Sequence, residues 1–234
     1  MRDTIGSEEK IKERIKQIEY GMENIPELYF EIIEDTPEAR ANYLRCAKED
    51  EITYSTLFYL NYSVGTDLNK CYEYFYNWLK YSSLKYKPED GDGWFEIVDI
   101  LSVSILYKSR LNEFSEYLKP LVEKWESREK YILNELYRYL FNEDLYKDAG
   151  KTKAVYMEKI FNSKDINIVK ESLKKEWYKF HRDAYWYDTH KPGHNSYQGY
   201  WAWDIGAAVK ILGLDDSELK DCKYYPYDLV HYCD

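Results

Sequence analysis

The residues best suited to chemistry lie close to the C-terminus. Asp204 directly follows the aromatic stretch Trp201-Ala202-Trp203, and it precedes a run of small residues at 206–208. A carboxylate beside indole rings can act as an acid or base, because burial raises its pKa. The alternative is a buried acid that accepts hydrogen bonds from a Tyr hydroxyl, an indole N–H or a histidine. The many potential donors nearby favour this structural interpretation.

The histidines form a second candidate group, because all of them follow residue 180: His181, His190, His194 and His231. His190 and His194 are four residues apart, a spacing that places two zinc ligands on one face of a helix. Asp188 lies close by. Pro192 and Gly193 interrupt this spacing, however, and predict a turn. The sequence therefore predicts no metal site and no cofactor.

Several catalytic signatures are missing from the chain. It contains no G-x-S-x-G, Walker loop, G-x-G-x-x-G or H-E-x-x-H motif. The absence of these motifs makes an enzyme less expected but does not exclude one. Two alternatives stay open. One is a helical scaffold with an apolar groove for peptides; the other is a metal-dependent hydrolase built from the C-terminal cluster of His181, His190, His194 and Asp188 or Asp204.

An acidic segment near the N-terminus is unusual, because residues 18–38 contain acids but neither Lys nor Arg. Its acids are Glu19, Glu23, Glu27, Glu31, Glu34, Asp35 and Glu38. Like charges four residues apart weaken a helix by a few tenths of a kcal/mol per pair. Contact with a cationic partner would explain this cost. Solvation, or pairing with lysines elsewhere in the fold, would explain it equally well.

Charge and composition narrow the class of protein. The formal net charge is -10 and the pI about 5.1, which argues against nucleic-acid binding and favours basic protein partners. No apolar stretch approaches the roughly 18 residues of a membrane span, and the charged N-terminus does not resemble a signal peptide. We therefore expect a cytoplasmic protein without membrane contact. The four cysteines form no C-x-x-C pair and are expected to be free thiols.

Apolar residues recur at helical spacing almost throughout the chain, as at Ile11, Ile15 and Ile18. Together with 27 tyrosines, this predicts an all-α helical bundle of roughly eight to ten helices with an aromatic-rich core. The stretch 52–64 also fits a strand, but its neighbours favour a helix. Asp35 or Thr36 is the expected cap of a helix that starts at Pro37. Other helices are expected at 94–107, 128–142, 152–161, 164–181, 197–213 and 224–232. The proposed domains are an N-terminal helical domain, 1–125, and a C-terminal one, 126–234.

Residues from about 177 to 232 closely resemble the C-terminal domain of the polymorphic-toxin nuclease immunity (PoNi) family. The resemblance rests on four elements: Tyr185-Trp186-Tyr187 with His190, Gly199-Tyr200-Trp201 with Asp204, the run Lys210–Asp216, and Tyr225–Val230. In this family Glu is more frequent than Asp at position 204. The signature residues to which the resemblance gives a structural role are Tyr185, Trp186, Tyr187, His190, Gly199, Tyr200, Trp201, Asp204, Asp215, Asp216, Tyr225, Pro226, Tyr227 and Asp228.

The resemblance implies an all-α bacterial immunity protein without catalysis or cofactor. Such a protein binds a cognate DNase toxin of interbacterial competition and protects the cell that produces it. A DNA-cleaving domain needs a basic surface to hold phosphates, and an acidic inhibitor can occupy that surface. The acids of residues 19–38 are accordingly the candidate toxin contacts. The sequence does not predict the oligomeric state.

Overall fold

The computed structural model describes residues 1–23, 36–84, 92–124 and 129–232. Within these residues the chain forms eleven α-helices and no strand. The predicted all-α fold is thereby confirmed. The helices are α1 (Glu8–Glu23), α2 (Pro37–Val64), α3 (Leu68–Ser83), α4 (Asp92–Leu106), α5 (Leu111–Glu123), α6 (Tyr131–Phe141), α7 (Val155–Ser163), α8 (Ile166–Lys175), α9 (Trp177–Phe180), α10 (Trp203–Leu212) and α11 (Tyr227–Val230).

The start of α2 confirms the predicted cap. The Thr36 hydroxyl accepts a hydrogen bond from the Ala39 backbone N–H at 3.1 Å, and Pro37 occupies the first turn. The helix runs through 52–64, so the helical interpretation of that stretch is correct. It ends at Gly65, whose φ of 90° lies in the left-handed region that glycine adopts readily.

Two C-terminal helices are shorter than predicted. The helix expected at 197–213 begins only at Trp203, because the preceding residues are extended. In that extended segment the Ala202 N–H donates to the Tyr224 carbonyl at 2.8 Å. The helix expected at 224–232 is limited to α11, and Tyr224 itself has a positive φ of 72°. The pairing of two distant segments thus replaces local helical bonds.

The chain divides into two compact units. The first comprises residues 1–87, 114–121 and 189–199, and the second comprises residues 88–113, 122–188 and 200–234. The proposed boundary between residues 125 and 126 stays a prediction.

In the first unit α2 packs against α3 through aromatic side chains. The Phe58 ring lies 6.0 Å from that of Phe75 and 5.8 Å from that of Trp78, centroid to centroid. In the second unit α10 packs against α4, whose Leu101 and Ile105 are fully buried. The predicted aromatic-rich core is thus present in the first unit.

None of the helices in the described ranges is long and apolar enough to cross a membrane.

Candidate functional site

Asp204 is buried in the first turn of α10 and joins three helices of the second unit. Its Oδ2 accepts a hydrogen bond from the Tyr156 hydroxyl of α7 at 2.5 Å. Its Oδ1 accepts one from the Trp177 indole N–H of α9 at 3.0 Å. Only 3% of the residue is exposed. The sequence analysis expected a Tyr hydroxyl, an indole N–H or a histidine as the donor to Asp204, and the first two of these are present.

The electrostatics around Asp204 fit a fixed acceptor. Burial, followed by the charge of Asp204, raises the pKa of the Tyr156 hydroxyl well above its ordinary value, so this hydroxyl stays a donor. Burial lowers the pKa of His181, although the charge of Asp204 acts in the opposite direction. The His181 Nδ1 lies 2.8 Å from the Trp177 carbonyl. Both oxygens of Asp204 therefore serve to hold neighbouring helices together.

Gly206 explains why small residues follow Asp204. A Cβ at this position would lie 2.8 Å from Pro226 Cγ and 3.1 Å from Val230 Cγ2. The absent side chain lets the 226–230 segment approach the helix axis closely. Two parts of the PoNi-like signature, the Trp-Asp element and the Tyr-Pro-Tyr element, thus meet in one packing contact.

Lys210 of α10 forms hydrogen bonds with the end of α4 and with the segment around Val230 and Tyr232. Its Nζ donates to the carbonyls of Leu106 at 3.0 Å and Val230 at 3.1 Å, and more weakly to that of Tyr232 at 3.5 Å. Leu106 and Val230 are the last residues of α4 and α11, where carbonyls lack helical partners. The lysine of the signature run therefore satisfies two helix ends.

Asp216 is a second buried acid of the signature. Its Oδ2 accepts a hydrogen bond from the Tyr225 hydroxyl at 2.6 Å, and its Oδ1 lies 2.8 Å from His231 Nε2. The preceding Asp215 is exposed and accepts the Ser217 N–H at 3.0 Å. The two acids differ, because Asp216 fixes a distant segment whereas Asp215 closes a local turn.

Three aromatic signature residues, Trp186, Tyr187 and Tyr200, lie in a cluster around Trp177 and Tyr178. Trp186 stacks on Trp177 with ring centroids 5.7 Å apart, and Tyr187 stacks on Tyr178 at 4.5 Å. Tyr200 is buried in the same cluster. Other aromatic signature residues differ in burial, because Trp201 is buried whereas Tyr185 is 67% exposed. The ring centroid of Tyr227 lies 4.3 Å from that of His231. Gly199 has a positive φ of 105°, and Asp228 is exposed on α11.

The histidines do not form the metal site that their spacing first suggested. His190 and His194 are exposed, and Pro192 and Gly193 form the predicted turn between them. Asp188 Oδ1 accepts the Tyr178 hydroxyl at 2.9 Å. Among the residues that the structure describes, no group of three His, Cys, Asp or Glu side chains is placed to hold a metal ion.

The structure describes three of the seven candidate toxin contacts. Glu19 Oε1 accepts a hydrogen bond from the Tyr74 hydroxyl at 2.8 Å. Glu23 is exposed at the end of α1, and Glu38 is exposed in the first turn of α2. The other four lie outside the described residues: Glu27, Glu31, Glu34 and Asp35.

Sequence reasoning did not single out two residues that complete the site, Tyr156 and Trp177. Tyr156 is 48 positions away from Asp204, and no local spacing connects them. Trp177 stands at the start of the aromatic stretch that carries the family resemblance. The only available signal was the general one that a buried acid needs donors.

The fold and this geometry define a class: an all-α protein whose C-terminal signature is a buried network around two acids. Residues 142–229 match the family model of PoNe immunity proteins (PoNi), C-terminal. The family resemblance is thereby confirmed for this part of the chain. No curated protein matches the chain significantly.

A solved structure shares the fold. Protein PA2201 from Pseudomonas aeruginosa superposes with a TM-score of 0.68 at 16% sequence identity. The match covers 95% of this chain and 86% of that one. The likeness therefore extends over nearly the whole chain, including the helices that precede the family match.

Proposed function

We propose that this protein is an immunity protein that binds a cognate nuclease toxin and neutralises it in the cytoplasm of the producing cell. The observation that carries the proposal is the match of residues 142–229 to the PoNe immunity family. Packing and hydrogen bonding account for most of the signature inside that range. Toxin binding is therefore assigned to the surface rather than to the signature core.

The exposed acids near the N-terminus are the proposed contact surface. Glu23 and Glu38 border the acidic sequence between α1 and α2, and both are exposed. Glu19 is a weaker candidate, because it already accepts the Tyr74 hydroxyl. In a protein with a net charge of -10, these acids would attract the basic DNA-binding face of a nuclease. Occlusion of that face is the proposed mechanism of inhibition.

The function is tested with a candidate nuclease toxin domain, which is to be sought in the gene adjacent to this one. DNA cleavage by that domain is measured while the purified immunity protein is added in increasing amounts. We expect cleavage to stop at one equivalent, together with a stable complex in size-exclusion chromatography with light scattering. Undiminished cleavage in the presence of excess folded protein would contradict the proposal.

The contact surface is tested with a charge-reversed pair, Glu23→Lys with Glu38→Lys. The control pair, Asp183→Lys with Asp221→Lys, changes the net charge equally at exposed acids of the second unit. Exposed charges mainly affect association, so we expect the first pair to associate severalfold more slowly than the control. The difference should shrink as salt shortens the Debye length from about 10 Å at 0.1 M to about 3 Å at 1 M. Equal rates for the two pairs would place the interface elsewhere and leave the immunity function unaffected.

A further inference from the structure

The first unit contains a polar cleft that the proposed toxin-binding function does not use. Its volume is about 690 Å³. One wall consists of α1 with the turn before it, and the other consists of residues 189–195 with Tyr197. Pockets for small molecules usually measure about 300–1,000 Å³, so the cleft has room for a compact organic ligand.

The charge of the cleft is opposite to that of the protein. Three permanent cations, Lys10, Arg14 and Lys191, line it against the single carboxylate of Glu13. His190 and His194 add imidazole groups to the same lining. The whole chain carries a net charge of -10, so a locally positive cleft stands out from its surroundings. Such a concentration of Arg, Lys and imidazole donors suits an anion with several acceptor oxygens.

Hydrogen bonds between the N-terminal segment and Tyr197 hold the cleft in shape. The Tyr197 hydroxyl donates to Asp3 Oδ2 at 2.7 Å, and Arg14 Nη1 donates to the Tyr197 carbonyl at 3.1 Å. The Asp3 carboxylate also accepts the backbone N–H of Ile5 and Gly6, each at 3.0 Å. The walls are therefore fixed before a ligand arrives, which lowers the entropic cost of binding.

Gly6 adds to this fixed geometry. A Cβ at this position would lie 2.4 Å from Tyr197 Cε1 and 2.9 Å from Asp3 Oδ2. The glycine thus allows the tyrosine ring to lie directly against the backbone at the start of α1. Ile5, Pro192 and the Tyr197 ring give the cleft apolar surface beside its cations. A phosphate group combined with a small organic body fits this mixture of surfaces.

We propose that this cleft binds a small phosphate monoester, with the phosphate held by Lys10, Arg14 and Lys191. Arg14 also orders Tyr197, so its replacement would disturb the cleft itself. Lys10 and Lys191 are exposed and are the better positions to test. The proposal concerns a site distinct from the acids at Glu23 and Glu38, and it does not depend on toxin binding.

The test is titration calorimetry with inorganic phosphate and with adenosine 5′-monophosphate at constant ionic strength. The test variant combines Lys10→Gln with Lys191→Gln. The control combines Lys12→Gln with Lys16→Gln, which removes the same charge from exposed positions of α1 outside the cleft lining. We expect saturable one-to-one binding of both probes to the unmodified protein. Affinity should fall at least tenfold in the test variant and less than twofold in the control.

Three results would overturn the proposal. The first is that phosphate does not bind saturably to the unmodified protein. The second is an equal loss of affinity in both double variants, which would mean that only net charge matters. The third is weaker binding of adenosine 5′-monophosphate than of inorganic phosphate, because the organic body would then find no place in the cleft. Circular dichroism of both variants confirms that each is folded before titration.

Discussion

Acids of the C-terminal region and acids of the N-terminal region have different surroundings. Asp204 and Asp216 are buried, and each has partners on both of its carboxylate oxygens. In contrast, Glu23 and Glu38 are exposed. The same functional group thus stabilises the fold in one region and remains available for binding in the other.

This difference indicates that the family signature is found mainly among buried residues, whereas a binding surface is to be sought among exposed ones. Most residues of the recognisable pattern near the C-terminus are explained by packing and hydrogen bonds, including bonds to residues outside the pattern such as Tyr156 and Trp177. Immunity proteins must discriminate between toxins, and discrimination depends on the groups that meet the partner. We therefore expect core substitutions to change stability and surface substitutions to change binding. The predictions below test this separation.

The largest effect is expected for Asp204→Ala. The substitution leaves the Tyr156 hydroxyl and the Trp177 N–H as buried donors without acceptor, each at a cost of about 1–3 kcal/mol. The free energy of unfolding should fall by about 2–5 kcal/mol in chemical denaturation. Asp204→Asn keeps the shape and one carbonyl acceptor, so it should lose less. An unchanged unfolding midpoint combined with lost toxin inhibition would contradict the structural role of Asp204, because Asp204 would then act in binding.

Lys210→Met should have the next largest effect. Methionine retains an unbranched apolar stem but removes the ammonium that donates to the carbonyls of Leu106, Val230 and Tyr232. Hydrogen bonds from charged groups contribute about 1.5–3 kcal/mol, so a loss of this size is expected on denaturation. Lys12→Met is the control, because its exposed ion pair with Glu8 contributes at most about 1 kcal/mol. Equal losses in the two variants would contradict the anchoring role of Lys210.

Gly206→Ala and Gly21→Ala should change stability in opposite directions. Both glycines lie inside helices, but Gly21 has open space where its Cβ would be. There alanine should stabilise by about 0.5–1 kcal/mol. At Gly206 the added methyl meets Pro226 and Val230, and overpacking should cost about 1–3 kcal/mol. Melting curves decide the matter, and a raised midpoint for Gly206→Ala would show that the 226–230 segment yields easily.

The sequence predicted what local patterns determine. Helical spacing and capping residues predicted the all-α class and the start of α2 at Pro37, because these depend on neighbours along the chain. The Trp203 start of α10 was missed, since it depends on pairing between Ala202 and Tyr224. Lys210 bonds to a carbonyl 104 residues away, and Arg14 to one 183 residues away. Contacts of this range leave no spacing pattern, so the carbonyl-binding role of Lys210 and the cationic cleft emerged only from the structure.

The smallest effect is expected at Asp50, a partly buried acid of α2 in the N-terminal region. Within the described ranges its Oδ2 has no hydrogen-bond partner. Burial raises the pKa of this carboxyl, and the neighbouring charge of Glu49 adds to the shift. Asp204 and Asp216 have hydrogen-bond partners on both carboxylate oxygens, whereas Asp50 does not. Folding disfavours the ionised form of Asp50. Removing its charge should stabilise the protein.

The sign of the effect gives Asp50→Asn a pH signature. An acid whose pKa is raised by folding binds more protons in the folded state, so stability falls as pH rises through the interval between the two pKa values. Below the unfolded pKa of about 3.9 the ionisation of Asp50 does not reduce the stability of the fold, and above the folded pKa the full reduction is present. The variant should therefore match the wild type near pH 3.5 and melt about 1–2 °C higher at pH 7, a small gain because water still reaches the side chain. Thermal denaturation across this range decides the matter. A difference that stays constant with pH would contradict a raised pKa at Asp50, and one that shrinks with rising pH would show that folding favours the ionised form of Asp50.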